Sequence, residues 1–141
     1  MKPRQAETKR KAVTRRVGPL VILLQGTESP TETEWAECLH LVGKVGDINS
    51  TRVLVVTAGG GPTLAQRRAL EKVLAGTKVC SAVVSDSVKV RFILASVALF
   101  STQISTFQLR EIHRAYEFLG LTHAQVVLAE KALTEMRAML A

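Results

Sequence analysis

Arg52-Val53-Leu54-Val55-Val56-Thr57-Ala58-Gly59-Gly60-Gly61-Pro62-Thr63 is the stretch whose reading decides the fold. Val53 to Val56 form a short, continuous apolar run rich in β-branched side chains, the pattern of a strand covered on both faces. The glycines end it. Pro62, suited to the first helical position, then opens a helix that the pattern carries to Leu74, with Gly76 as its stop. A strand that passes through a glycine loop straight into a helix is the building unit of a parallel sheet.

The same unit recurs on either side. Upstream, Leu20-Val21-Ile22-Leu23-Leu24 runs to Gly26. Ser29-Pro30-Thr31-Glu32 follows as a capping box for a helix expected from Pro30 to Val42. Downstream, Lys78 to Ser85 supplies a third strand through Val79, Ala82, Val83 and Val84, and Ser87 to Phe100 reads as a helix that is apolar nearly all round. Ile104 to Phe107 makes a fourth, short strand. Gln108–Leu119 and Thr122–Leu140 are two closing helices separated by Gly120. The order βαβαβαβαα predicts an α/β fold. Its sheet is expected to be mainly parallel and four-stranded, with right-handed crossovers placing helices on both faces. One domain, residues 17–141, accounts for all of it.

The whole chain has 141 residues, of which 47% are hydrophobic and 22% charged, which excludes an intrinsically disordered protein. The richest apolar run is broken by Lys89 and Arg91 and is too short to span a bilayer, so no membrane span is expected. Two cysteines, Cys38 and Cys80, are too few for a disulfide scaffold, and no secretory signal is evident. A soluble, cytoplasmic protein is the expectation.

The formal charge of +7 is unevenly placed. Lys2, Arg4, Lys9, Arg10, Lys11, Arg15 and Arg16 face only Glu7 within the first sixteen residues, a net of +6, while the remainder has twelve basic and eleven acidic residues. With only Ala6, Ala12 and Val13 as apolar side chains after Met1, residues 1–16 are expected to be a disordered basic tail. Such a tail is either a solubilising extension or a weak, salt-sensitive attractor of polyanions.

Gly18-Pro19-Leu20 to Gly26, then Val53 to Gly61-Pro62, then Val83-Val84-Ser85-Asp86-Ser87, resemble bacterial STAS-like domains, relatives of the anti-sigma-factor antagonists. The resemblance covers about residues 17–120 and rests on element order and loop style. It implies a non-enzymatic module that docks on a regulatory protein, without a cofactor. In such domains docking is often controlled by a phosphorylated Ser or Thr that opens the helix after a central strand, in an Asp-Ser-Ser/Thr-Gly-like stretch. Here the corresponding loop, Thr57 to Thr63, has no Asp-Ser pair. Its hydroxyls are Thr57 and Thr63, and Thr63 is the candidate phosphorylation residue. The basic tail stands where a typical STAS domain has an extra N-terminal strand.

If the strands are parallel, three loops leave the sheet at one carboxyl edge, where open α/β sheets place ligands at a topological switch point. They carry the candidate binding residues Glu28; Thr57, Gly59, Gly60, Gly61 and Thr63; and Ser85, Asp86 and Ser87. Gly59-Gly60-Gly61 either permits a tight turn with positive φ or offers backbone N–H groups to a phosphate or small ligand, with Arg67 and Arg68 at hand. It matches neither glycine-rich nucleotide motif. Ser85-Asp86-Ser87 either caps the following helix or meets a partner, and Asp86 is expected across from the glycine loop.

No catalytic set stands out. His40, His113 and His123 are dispersed, Cys38 and His40 point apart on a helix, and no G-x-S-x-G elbow occurs. A metal site is not expected, and a small enzyme is the least favoured alternative. Glu28, Glu32, Glu34 and Glu37 gather at the start of the first helix, where they suit its dipole. Trp35 is either a core anchor or a contact residue. On the last helix Val126, Ala129, Leu133, Met136 and Leu140 form a stripe that packs on its own domain or pairs with a second copy as a homodimer.

Overall fold

A computed structural model describes residues 10–43, 51–74, 79–90 and 103–140. The apolar runs become the strands β2 (Leu20–Gln25), β3 (Arg52–Thr57), β4 (Cys80–Val84) and β5 (Ile104–Phe107), and a further strand, β1 (Ala12–Val17), precedes them. Helices α1 (Glu32–Gly43) and α2 (Leu64–Leu74) join the first parallel pairs. A 3-10 turn at Leu109–Glu111 leads into α3 (Ile112–Phe118), and α4 (His123–Arg137) closes the chain. Of the apolar helix expected at 87–100, residues 88–90 are helical and 91–100 lie outside the described residues.

The α/β class holds, but the sheet has five strands and is mixed. Its order is β1-β2-β3-β4-β5, with β1 antiparallel to β2 and the other pairs parallel. The disordered tail is therefore corrected over residues 12–16, which belong to β1. Ala12 and Val13 are buried, one on each face of the sheet, and Gly18, at φ 60°, turns the chain into β2. Glycine is favoured at that corner because a two-residue hairpin needs positive φ there. Residues 1–9 lie outside the described residues.

The tail's charges are also used internally. Arg10 pairs with Glu37 and lies 3.8 Å from Glu34, Lys11 meets Glu28 at 3.0 Å, and Arg15 pairs with Glu135. Glu28, Glu34 and Glu37 of the acidic cluster thus meet the basic residues that lead into the first strand. Arg10, Lys11 and Arg15 are not an unpaired polyanion site. Charged side chains on an edge strand also discourage pairing with another sheet.

Each sheet face has its own core. Val21 and Leu23 meet Trp35, Cys38 and Val42 of α1, with Leu70 and Val73 of α2 alongside. On the opposite face Ile22, Leu54, Ala82 and Val84 pack against Tyr116 of α3, Leu119 just after it, and Ala129, Leu133 and Met136 of α4. The last-helix stripe is thus spent on its own domain, with Val126 and Leu140 packed at its margin. A homodimer through this stripe would have to draw these side chains out of the core.

Local capping explains where the helices begin. Thr31, not Ser29, caps α1: its Oγ1 accepts from Glu34 N, and the Glu34 carboxylate accepts from Thr31 N. The box is therefore shifted by two residues from Ser29-Pro30-Thr31-Glu32. Thr63 and Gln66 form the same reciprocal pair at α2, as do Thr122 and Gln125 at α4. Trp35 is a core anchor, 4% exposed, and its Nε1–H donates to Gln66 O at 2.9 Å, fastening α1 to α2.

Candidate functional site

The register of the parallel strands brings the three predicted loops to one edge. Gln25 aligns with Thr57, and Val56 with Val84, so the chain segments after β2, β3 and β4 emerge side by side. Among the described strands no reversal of order occurs, because they follow one another in sequence. The switch-point crevice expected from doubly wound sheets is absent there for that reason.

The loops lock onto each other instead of opening a cleft. Gly60 N donates to Gly26 O at 2.9 Å, and Thr57 Oγ1 donates to Gly60 O at 2.6 Å while accepting from Gly59 N. A Cβ on Gly60 would lie 2.8 Å from both the backbone N and C of Glu28. Glycine is present at 60 because two backbones touch there. Of the three glycines only Gly59 has positive φ, at 138°. With the N–H groups of Gly59 and Gly60 already donated inside the protein, the loop lacks the converging donors of a phosphate cradle.

Ser85 is 1% exposed, and its Oγ donates to Thr57 O at 2.8 Å and accepts from Ser87 N. Ser87 Oγ accepts from Val90 N, so Ser87 caps the helical turn that follows. Asp86 behaves differently from the expectation that it faces the glycine loop. Its Oδ1 accepts from Leu109 N at 2.8 Å, tying the exit of β4 to the start of the 3-10 turn after β5. Thr57, Gly59, Gly60, Ser85 and Ser87 are thus one hydrogen-bonded cluster with Glu28 backbone against it, and Asp86 belongs to the neighbouring junction. Gly61 has open space around it. Glu28, Thr63 and Asp86 are the exposed members.

Electrostatics at this edge is set by backbone donors. Burial opposes ionisation of Glu34, but the N–H groups of Thr31, Lys11 and Ala12 overcome it and hold its carboxyl below the usual carboxylate range. Cys38 is the reverse case: burial pushes its thiol up to about 11, so it is not a ready nucleophile. Cys80 packs on the opposite core from Cys38. Among the described residues no group of three or more His, Cys, Asp or Glu gathers to hold a metal.

Two features escaped the sequence. Gln66, 3% exposed, donates from Nε2 to Pro30 O and to Glu32, which braces the first two helix starts. A hollow of about 310 Å³ lies between α3 and α4, lined in part by Tyr116, Glu130 and Arg137. A lone Tyr and two charges seven residues apart look like any half-solvated helix in sequence, so nothing singled them out. No family model, curated protein or solved structure compared with this chain matches it.

Proposed function

We propose that the chain is a non-enzymatic docking module, STAS-like in plan, that presents the carboxyl edge of its sheet to a regulatory protein of a bacterial cytoplasm. The observation that carries this reading is the interlocking of the edge loops. Gly60 against Glu28, Ser85 on Thr57 and Asp86 on Leu109 fix a surface in place, and a surface fixed before binding loses little entropy on docking. Strand β1 adds support, because it fills the position of the N-terminal strand that the resemblance implies.

On this reading Thr63 is the switch. It is exposed at the start of α2, with Arg67 and Arg68 exposed on the same helix. A phosphate there would place negative charge at a helix N-terminus and alter the docking face without touching the core.

The test is a stoichiometric complex formed by the immobilised full chain, followed by Asp86→Asn. Asparagine keeps an acceptor for Leu109 N, so urea unfolding should register a loss of only ~1 kcal/mol or less. Partner affinity should fall further, by about tenfold, since a charge at an interface also acts on recognition. Val127 and Leu128 are 53% and 51% exposed on α4 and serve as the control surface. If Val127→Glu with Leu128→Lys abolishes the complex while Asp86→Asn binds as wild type, docking occurs on α4 and this assignment fails.

A further inference from the structure

We propose that the hollow between α3 and α4 binds a small zwitterion, an amino acid with an apolar side chain. Its volume, about 310 Å³, stands at the lower end of ligand-binding cavities and suits a molecule occupying the space of roughly ten waters. Leu109, Ile112 and Leu133 supply apolar lining, and Leu109 remains 44% exposed within it. Glu130 and Arg137 add charges of both signs to the same lining.

The hollow is lined by charges of both signs. Tyr116, 2% exposed, donates from its hydroxyl to Glu130 Oε2 at 3.1 Å, which orients the carboxylate at one side. Burial and the nearby Glu130 hold the phenol well above its usual range, so it stays a donor. Arg137 follows Glu130 by seven residues, two helical turns, and so shares its face about 10 Å along the axis. It is close enough for its charge to be felt at the Tyr116 phenol. Among the described residues neither Glu130 nor Arg137 has an ion-pair partner within 4.0 Å. A guanidinium at the end of α4 also suits the helix dipole with nothing bound. What favours a ligand is that both charges line the same hollow without pairing.

Thr134 adds direction. Its hydroxyl hydrogen is donated to Glu130 O at 3.0 Å, so its oxygen can only accept further bonds. An ammonium group therefore belongs on the Glu130 and Thr134 side, a carboxylate on Arg137, and an apolar side chain over Leu109, Ile112 and Leu133. This site is on the opposite sheet face from α1 and α2 and adjoins the docking edge at Leu109, whose N–H bonds Asp86.

Calorimetric titration of the full chain with leucine, isoleucine, valine, methionine and phenylalanine at millimolar concentrations tests it. At least one should bind and shift the amide resonances of Ile112 and Thr134. The matching amino acid amide, lacking the carboxylate, and the matching carboxylic acid, lacking the ammonium, should each bind about tenfold or more weakly, as lost charged hydrogen bonds predict. Arg137→Gln should remove the preference over the amide, and Glu130→Gln the preference over the acid. Both positions are exposed, and the side-chain carbonyl kept by Glu130→Gln still accepts from Tyr116, so circular dichroism should show unchanged helicity. No binding by any of the five, equal binding of the singly charged analogues, or wild-type affinity in both variants overturns the proposal.

Discussion

Gly60→Ala is expected to lower the stability of this protein by about 3 kcal/mol, near the upper end of overpacking costs, as read from the midpoint of urea unfolding at unchanged slope. The new Cβ would meet the backbone of Glu28, not a side chain that can rotate away. Relief requires separating the loop after β3 from the loop after β2. That separation strains the bond from Gly60 N to Gly26 O and the bond from Thr57 Oγ1 to Gly60 O. Thr57 also accepts Ser85 Oγ on its carbonyl, so the disturbance reaches the exit of β4. Gly61→Ala is the control. Its Cβ would meet nothing within 4 Å and its φ is not positive, so stability should be unchanged or rise by a few tenths of a kcal/mol through a less flexible unfolded chain. Equal midpoints for the two variants would show that the loops are not in contact in solution.

What the sequence made legible follows from how local each signal is. Val53 to Val56 and Leu20 to Leu24 are short runs, apolar at every position and bounded by proline or polar residues, the pattern of a strand buried on both faces. Their parallel order then brings the three loops to one edge. The partners of those loops depend on register, which no short window carries. Ser85 meets Thr57 because β3 and β4 align Val56 with Val84, and Asp86 turns to Leu109 because β5 is the next strand over. Likewise, no local pattern says that Gly60 lies against Glu28, thirty-two residues earlier. The glycine triplet was legible as a turn, but the reason for its middle member was not.

β1 shows the opposite failure. Ala12-Val13-Thr14-Arg15-Arg16-Val17 has the apolar and polar residues of an edge strand, yet its charge count suggests a solvated tail. Composition is a weak guide where the opposing charges come from afar. Glu34 and Glu37 of α1 meet Arg10 just before the strand, and Glu135 of α4 pairs with Arg15 within it, so the basic segment docks on an apolar neighbour. The available local signal was Gly18-Pro19 directly before an apolar run, which is punctuation for a tight turn and asks for a strand in front of it.

Deleting residues 10–17 should therefore abolish cooperative folding, although those residues looked dispensable in sequence. The loss would be more than about 5 kcal/mol, comparable with the whole stability of an ordinary domain. Val13 leaves the α3/α4 core and Ala12 the α1 core, and β2, buried along its full length, becomes an uncovered edge. A polar loss adds to it. Glu34 is 8% exposed and ionised because the N–H groups of Lys11 and Ala12 bond its carboxylate alongside Thr31. Without them the carboxylate keeps only the Thr31 N–H of its three backbone donors and must exchange the others for water. A companion variant separates packing from surface charge. Arg15→Gln removes the exposed pair with Glu135 and leaves the strand in place, so it should cost no more than ~1 kcal/mol. Thermal unfolding followed by circular dichroism distinguishes the outcomes. A truncated chain that melts cooperatively at the full-length temperature would mean that the domain starts at β2, and that the hairpin contributes nothing to its core.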